Sequence, residues 1–129
     1  MPLSQVKIQP EGGVLSVDVA IGHGQIGAFQ LTLFDAEGAN PVDVGKGVNT
    51  DNVPDDFEIP VPPANVNGQI LLWTIQVASP SGGGRERYST DVRIRQGGTA
   101  VRGGKFSKEG ALGAQAVLVT GMARLVAAS

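Results

Sequence analysis

One glycine pattern and one histidine are the residues whose spacing first suggests chemistry. Gly22 to Gly27 reads GHGQIG, a G-x-G-x-x-G match that in dinucleotide-binding folds lets the backbone approach a pyrophosphate at a helix N-terminus. Residues 28–34 alternate like a strand, so no helix follows to bind the phosphates. His23 is the only histidine, stands in this glycine-flanked turn, and the chain has no cysteine. We therefore predict a simple turn, no catalytic or cofactor-binding residue, and no enzymatic activity.

Acidic side chains crowd the stretch 43–58. Asp51, Asp55, Asp56 and Glu58 place carboxylate oxygens within eight residues, and calcium takes six to eight oxygen ligands from loops of this kind. The Asp-x-Asx-x-Asx-Gly spacing of a calcium loop is missing, so a solvated acidic loop is the other interpretation. With an ion bound, the chain would be a ligand-binding module, for carbohydrate or another ligand. That is our alternative functional hypothesis.

Basic residues form a second candidate site. Arg93 and Arg95 share one side of an alternating segment, where guanidinium groups suit phosphate or an acidic protein surface. A net charge of −2 and few aromatic residues argue against nucleic acid as the partner. Residues 1–64 carry nine acids and two bases, whereas residues 65–129 carry three acids and eight bases. This split predicts either strands that neutralise each other or complementary surfaces on two molecules.

Two apolar residues stand where polar ones are expected. Residues 69–78 read QILLWTIQVA, with one apolar side formed by Leu71, Trp73, Ile75 and Val77. Ile70 and Leu72 lie on the other side, which indicates a fully buried strand or a patch covered by a partner. Together with the charge split, this predicts a non-catalytic module for protein interaction and self-assembly into a homo-oligomer. Ile70, Leu72, Arg93 and Arg95 are the predicted interface residues.

Short alternating segments must position these side chains. Apolar residues recur with a period of two in 6–8, 15–21, 29–33, 57–61, 71–77 and 88–94, and glycine and proline separate the segments. This pattern, with no helical block, is typical of an all-β fold. We predict an antiparallel β-sandwich of about eight or nine strands, immunoglobulin-like or jelly-roll in architecture, with a partly closed barrel as second choice. The segments around Trp73 and Val92 are predicted to pair as a hairpin, with Val77 opposite Tyr88.

Several regions carry local predictions. Residues 35–56 look like a long loop, and the segment of Phe57 is expected at a sheet edge because the following prolines cannot donate to a ladder. Gly97 and Gly98 predict a two-residue turn. Residues 111–128 are compatible with a helix or a strand; their β-branched residues favour a strand with a kink or bulge at Gly121.

The whole chain sets a few outer bounds. A length of 129 residues predicts one sandwich domain spanning 1–129. No apolar run is long enough to span a membrane. The first residues show no secretory signal, so the expected location is the cytoplasm, with export by a signal-less route as the open alternative.

Overall fold

The computed structural model describes residues 4–50, 53–79, 86–112 and 116–128. Most of them lie in strands, and one 3-10 turn spans Pro63–Asn65. The nine strands are β1 Ser4–Ile8, β2 Leu15–Gly22, β3 Ile26–Phe34, β4 Val42–Asn49, β5 Asp55–Glu58, β6 Ile70–Ala78, β7 Glu86–Gln96, β8 Thr99–Leu112 and β9 Val117–Ala127.

The strands form two sheets packed face to face. The five-stranded sheet has the order β1-β9-β6-β3-β4, and the four-stranded sheet has the order β5-β2-β7-β8. All neighbours are antiparallel except β1 and β9, which run parallel. The described strands therefore form a β-sandwich rather than a closed barrel, which confirms the predicted fold class. No helix in the described residues is long and apolar enough to cross a membrane.

The core lies between the sheets and follows the alternation seen in the sequence. Every second side chain points inward, and the rows of β2, β3, β6 and β7 are the most continuously apolar. Trp73 and Phe106 meet near the middle, with ring centroids 4.8 Å apart. The buried side chains are Val6, Ile8, Phe29, Leu31, Leu33, Leu71, Trp73, Ile75, Val77, Val119, Ala123 and Leu125 in the five-stranded sheet, and Leu15, Val17, Val19, Ile21, Tyr88, Val92, Ile94 and Leu112 in the four-stranded sheet.

The predicted hairpin between β6 and β7 is wrong. β6 pairs with β3 and β9, whereas β7 pairs with β2 and β8. The two strands lie in different sheets, so their matched apolar rows face each other across the core instead of lying side by side. Alternation identifies the inward row of a strand but not its hydrogen-bonded neighbour. The hairpin prediction failed for this reason.

The region 35–56 is also more ordered than predicted, because it contains β4. The edge position of the Phe57 segment is confirmed, since β5 ends the four-stranded sheet. Gly97 and Gly98 have φ angles of 60° and 81°, and they form the predicted turn between β7 and β8.

Within the C-terminal segment 111–128, residues 117–127 form a strand, as predicted, residues 111–112 end β8, and residues 113–115 lie outside the described residues. Gly121 has another role than a bulge. The pairing of β6 with β9 runs without a shift through Trp73 and Gly121. A Cβ atom at position 121 would lie 2.4 Å from the indole ring of Trp73. Glycine is required at this position because the ring occupies the space of a side chain.

Candidate functional site

The outer face of the five-stranded sheet carries few charges on its three central strands, whereas its edge strands add Lys7 on β1 and Asp43 and Lys46 on β4. We call the outward residues of its three central strands, β3, β6 and β9, the neutral face. Among these described residues only Arg124 is charged. The neutral face comprises Ile26, Ala28, Gln30, Thr32 and Phe34 on β3, Ile70, Leu72, Thr74, Gln76 and Ala78 on β6, and Leu118, Thr120, Met122, Arg124 and Val126 on β9.

The apolar part of the neutral face is centred on β6 and β9. Leu72 lies between Thr32 and Met122 in the ladder, so side chains of three strands contact one another in this row. Met122 is 48% exposed, and Leu118, four residues earlier on β9 with Thr120 between them, is 66% exposed. Contiguous apolar patches on a protein surface are typical of sites that contact a partner.

Ile70 lies at the end of the same face but contributes little free surface. It is only 9% exposed, between Phe34 on β3 and Arg124 on β9. The Arg124 Nη1 atom donates hydrogen bonds to the carbonyl oxygens of Gly68 at 2.7 Å and Ala36 at 3.3 Å. The guanidinium group is thus held by backbone at the rim, and it leaves the centre of the neutral face uncharged.

The outer face of the four-stranded sheet has the opposite character, and we call it the charged face. At its centre the carboxylate of Asp18 on β2 is 4% exposed. It accepts a hydrogen bond from Arg95 Nε at 2.9 Å, and Arg93 Nε lies 3.7 Å from its other oxygen. A carboxylate so buried needs such cationic partners to offset the loss of hydration.

Charge changes sign across this face. One row of the sheet runs from Asp56 on β5 through Asp18 and Arg93 to Lys105 on β8. The neighbouring row places Glu58 on β5 and Arg95 on β7, with Ser16 between them. The acidic half of the sequence therefore supplies one edge of the face and the basic half supplies the other. Adjacent strands do neutralise each other, which is one of the two interpretations of the charge split.

The four predicted interface residues do not form one surface. Ile70 and Leu72 belong to the neutral face, whereas Arg93 and Arg95 belong to the charged face on the other side of the sandwich. The arginines are engaged with Asp18 of their own chain. A single contact with one partner molecule cannot cover both pairs.

The predicted calcium ligands are also separated by the structure. Asp51 lies outside the described residues. Asp55 is on the inward side of β5 and accepts a hydrogen bond from Asn49 Nδ2 at 3.0 Å, while Asp56 and Glu58 are exposed on the outward side. Within the described ranges no group of three histidine, cysteine, aspartate or glutamate side chains is placed to hold a metal ion. The calcium hypothesis stays a prediction.

The glycine-rich segment with His23 forms the turn between β2 and β3, as predicted. His23 and Gly24 have φ angles of 62° and 71°, and both are exposed. Gln25, next in the chain, is buried and donates from Nε2 to the carbonyl oxygen of Arg87 at 2.9 Å. The turn is thus tied to β7 by a glutamine, whereas the histidine is exposed.

Two concave regions were not predicted from the sequence. A groove of about 710 Å³ runs beside β1 and the beginning of β8, and Lys7 and Arg102 are among its lining residues. A smaller cleft of about 340 Å³ opens between β8 and β9 over Trp73 and Tyr88. Both rings are 4% exposed, so they form the floor of the cleft and offer little area for stacking a sugar.

Sequence reasoning also missed the apolar residues of β9. Leu118 and Met122 follow the same outward period as Thr120 and Arg124. Their spacing is visible in the sequence, but it indicates an outward apolar row only if the segment is already known to be a strand.

The fold resembles two solved structures whose function is unknown. A DUF4425 family protein from Bacteroides ovatus ATCC 8483 shares 13% identity and a TM-score of 0.50, over 86% of this chain and 94% of that chain. A domain of unknown function, DUF4425, from Bacteroides vulgatus ATCC 8482 shares 10% identity and a TM-score of 0.46, over 87% and 94%. No protein-family model and no curated protein matches the sequence. The likeness to the protein from Bacteroides ovatus concerns the fold alone.

Proposed function

We propose that this protein is a non-catalytic self-assembly module in which two copies pack through their neutral faces. The observation that carries the proposal is the contrast between Leu72, Leu118 and Met122 on one outer face and the dense charges on the other. Burial of apolar area is the main source of affinity in such contacts.

A second copy of the chain suits this face because the centre of the face is neutral and the charged residues lie toward its edges. In a two-fold symmetric contact the same patch meets itself, so any like charges at its centre would be brought together. Here the central positions are Thr74, Thr120 and Gln30 in one row, which can exchange hydrogen bonds with their own copies. Arg124 lies at the rim and is held by backbone carbonyl groups, so it does not have to be desolvated at the centre.

The test is the mass of the protein in solution, measured by light scattering after size exclusion over a range of concentrations. We expect a dimer in the wild type and a monomer in the double variant Leu118→Asp/Met122→Asp. Two buried charges without partners should weaken the dimer by at least about a hundredfold. Both side chains are exposed in the monomer, so the melting temperature should change little when it is measured at a concentration where the wild type is also monomeric.

A matched control places one new carboxylate on the opposite face. Ser16→Asp lies on the charged face, next to Arg95 in the ladder, and should leave the dimer intact. A strictly monomeric wild type at high concentration would overturn the proposal, as would a double variant that remains dimeric.

A further inference from the structure

The groove beside β1 lies on a surface independent of the neutral face. It is bordered on one side by outward residues of β1, namely Gln5, Lys7 and Gln9, and on the other by the beginning of β8. Because β1 ends the five-stranded sheet, one row of its backbone groups points away from β9 and toward this groove. Edge rows of this kind are templates for an added strand.

Alternation along β1 shows which backbone groups face the groove. The carbonyl oxygen of Ile8 accepts a hydrogen bond from Ala128 N at 2.7 Å, so Ile8 faces β9. Because backbone groups alternate in direction along a strand, the N–H and C=O groups of Val6 also point toward β9. Those of Gln5, Lys7 and Gln9 point toward the groove.

The backbone of Gln9 already forms hydrogen bonds with a side chain, that of Gln96, in the way it would with a neighbouring strand. Gln9 N donates to Gln96 Oε1 at 2.9 Å, and Gln96 Nε2 donates back to the Gln9 carbonyl oxygen at 2.7 Å. A carboxamide offers the same donor and acceptor as a peptide unit. Gln96 thus forms one donor and one acceptor hydrogen bond with the outer edge of β1, as a neighbouring strand would. The part of the edge that is open to a partner therefore ends at Gln9.

The charges of the groove indicate which kind of peptide segment could bind along β1 as an additional strand. Lys7 and Arg102 both line it and both are exposed, and among the described lining residues there is no carboxylate. Lys7 lies on the β1 side and Arg102 on the β8 side, so acidic side chains of an extended segment would meet a cation on either wall.

We propose that β1 binds an extended acidic segment of a partner protein by strand addition, with the backbone of Gln5 and Lys7 as the template and Lys7 and Arg102 as the charge-selective side chains. The Gln96 carboxamide marks the end of the site. The binding mode follows from backbone pairing, so it tolerates varied sequences in the partner as long as acidic residues alternate.

The test is fluorescence anisotropy with a fluorescein-labelled peptide of alternating glutamate and threonine, at least as long as β1. We expect saturable binding to the wild type and none of a matched lysine–threonine peptide. Lys7→Pro removes a groove-facing N–H without removing a bond to β9 and should weaken binding about tenfold. Lys105→Gln removes a cation from the charged face and serves as the control, with unchanged affinity.

A second probe leaves the protein unaltered. The same acidic peptide methylated on alternate backbone nitrogens, in its two possible registers, should lose binding in one register and keep it in the other. Equal binding of both methylated peptides, unchanged binding to a folded Lys7→Pro variant, or no saturable binding of the acidic peptide would each overturn the proposal. None of these results bears on the oligomeric state, so the self-assembly proposal is tested separately.

Discussion

The two outer faces of this sandwich differ in what their side chains do. On the charged face, Arg95 donates a hydrogen bond to Asp18 and Arg93 lies within ion-pair distance of the same carboxylate, so these opposite charges are paired within the chain. On the neutral face, Leu118 and Met122 remain largely exposed although each lies beside a residue of β6. Charged residues in a sequence therefore need not indicate a binding surface, because they can form ion pairs with residues on neighbouring strands of the same chain.

The same difference separates stability from assembly. Residues of the charged face are expected to contribute to the free energy of unfolding through ion pairs that are partly shielded from water. Residues of the neutral face are expected to contribute chiefly to the free energy of association. Substitutions on the two faces should therefore have separable effects, and four experiments can sharpen or break that separation.

The largest effect on stability is expected at Gly121, on the inner side of a strand whose outer side belongs to the neutral face. Gly121→Ala inserts a methyl group 2.4 Å from the Trp73 ring and should cost about 1–3 kcal/mol in the free energy of unfolding. Urea denaturation measures this. Gly47→Ala is the matched strand control, because its Cβ would meet Phe29 at an ordinary 3.4 Å. A neutral Gly121→Ala would show that the indole ring moves freely, contrary to a tightly packed core.

Asp18→Ala should have the next largest effect, this time from the charged face. The change leaves Arg93 and Arg95, both about one-third exposed, without their carboxylate. We expect a loss of about 1–2 kcal/mol, after allowing for the solvent that already screens the two guanidinium groups. Gln76→Ala on the exposed neutral face should stay within about 0.5 kcal/mol. Both values come from chemical denaturation, and equal losses for the two variants would erase the distinction between the faces.

Salt should affect the dimer only weakly. Raising the ionic strength from about 0.01 M to about 1 M shortens the Debye length from roughly 30 Å to roughly 3 Å. A dimer formed by the neutral face should persist or strengthen over that range, since apolar burial supplies its affinity. Analytical ultracentrifugation at both salt concentrations distinguishes the cases. Dissociation at high salt would instead assign the contact to the charged face, where the acidic edge of one copy could meet the basic edge of another.

The smallest effect is expected from the turn after β3. Hydrogen bonds from the Ala39 N–H and the Asn40 side chain hold the pKa of Asp35 below its ordinary value of 3.8. Because the folded pKa is lowered, the stabilisation is present above pH 3.8 and is lost as the pH falls through the folded pKa. Asp35→Asn should therefore lower the melting temperature slightly at neutral pH and not at all in strong acid. A difference independent of pH would mean that the carboxylate charge does not stabilise this turn.

Much of the architecture was predictable because burial on one side of a strand leaves a period of two in the sequence. That period identified the inward rows of β2, β3, β6 and β7 and hence the sandwich class. The turn at Gly97 and Gly98 was predictable as well, because its positive φ angles favour glycine. Both signals are local, since they depend on one strand or one turn at a time.

The pairing of strands and the composition of the two outer faces could not be predicted from the sequence in the same way. The inward rows of β6 and β7 match equally well as neighbours in one sheet or as opposite walls of a core, and only the assembled sheets distinguish the two. The engagement of Arg93 and Arg95 by Asp18 depends on a contact between residues about 75 positions apart or more, for which no local pattern exists.

The sequence by itself thus determined the fold class, the inward rows and the tight turns, because backbone geometry and burial act on neighbouring residues. Only the tertiary structure decided which outer face is neutral and which is internally paired, and that β1 forms the wall of a basic groove. These properties arise where distant strands lie side by side, and their physical cause is the pairing of the strands rather than the preference of any one of them.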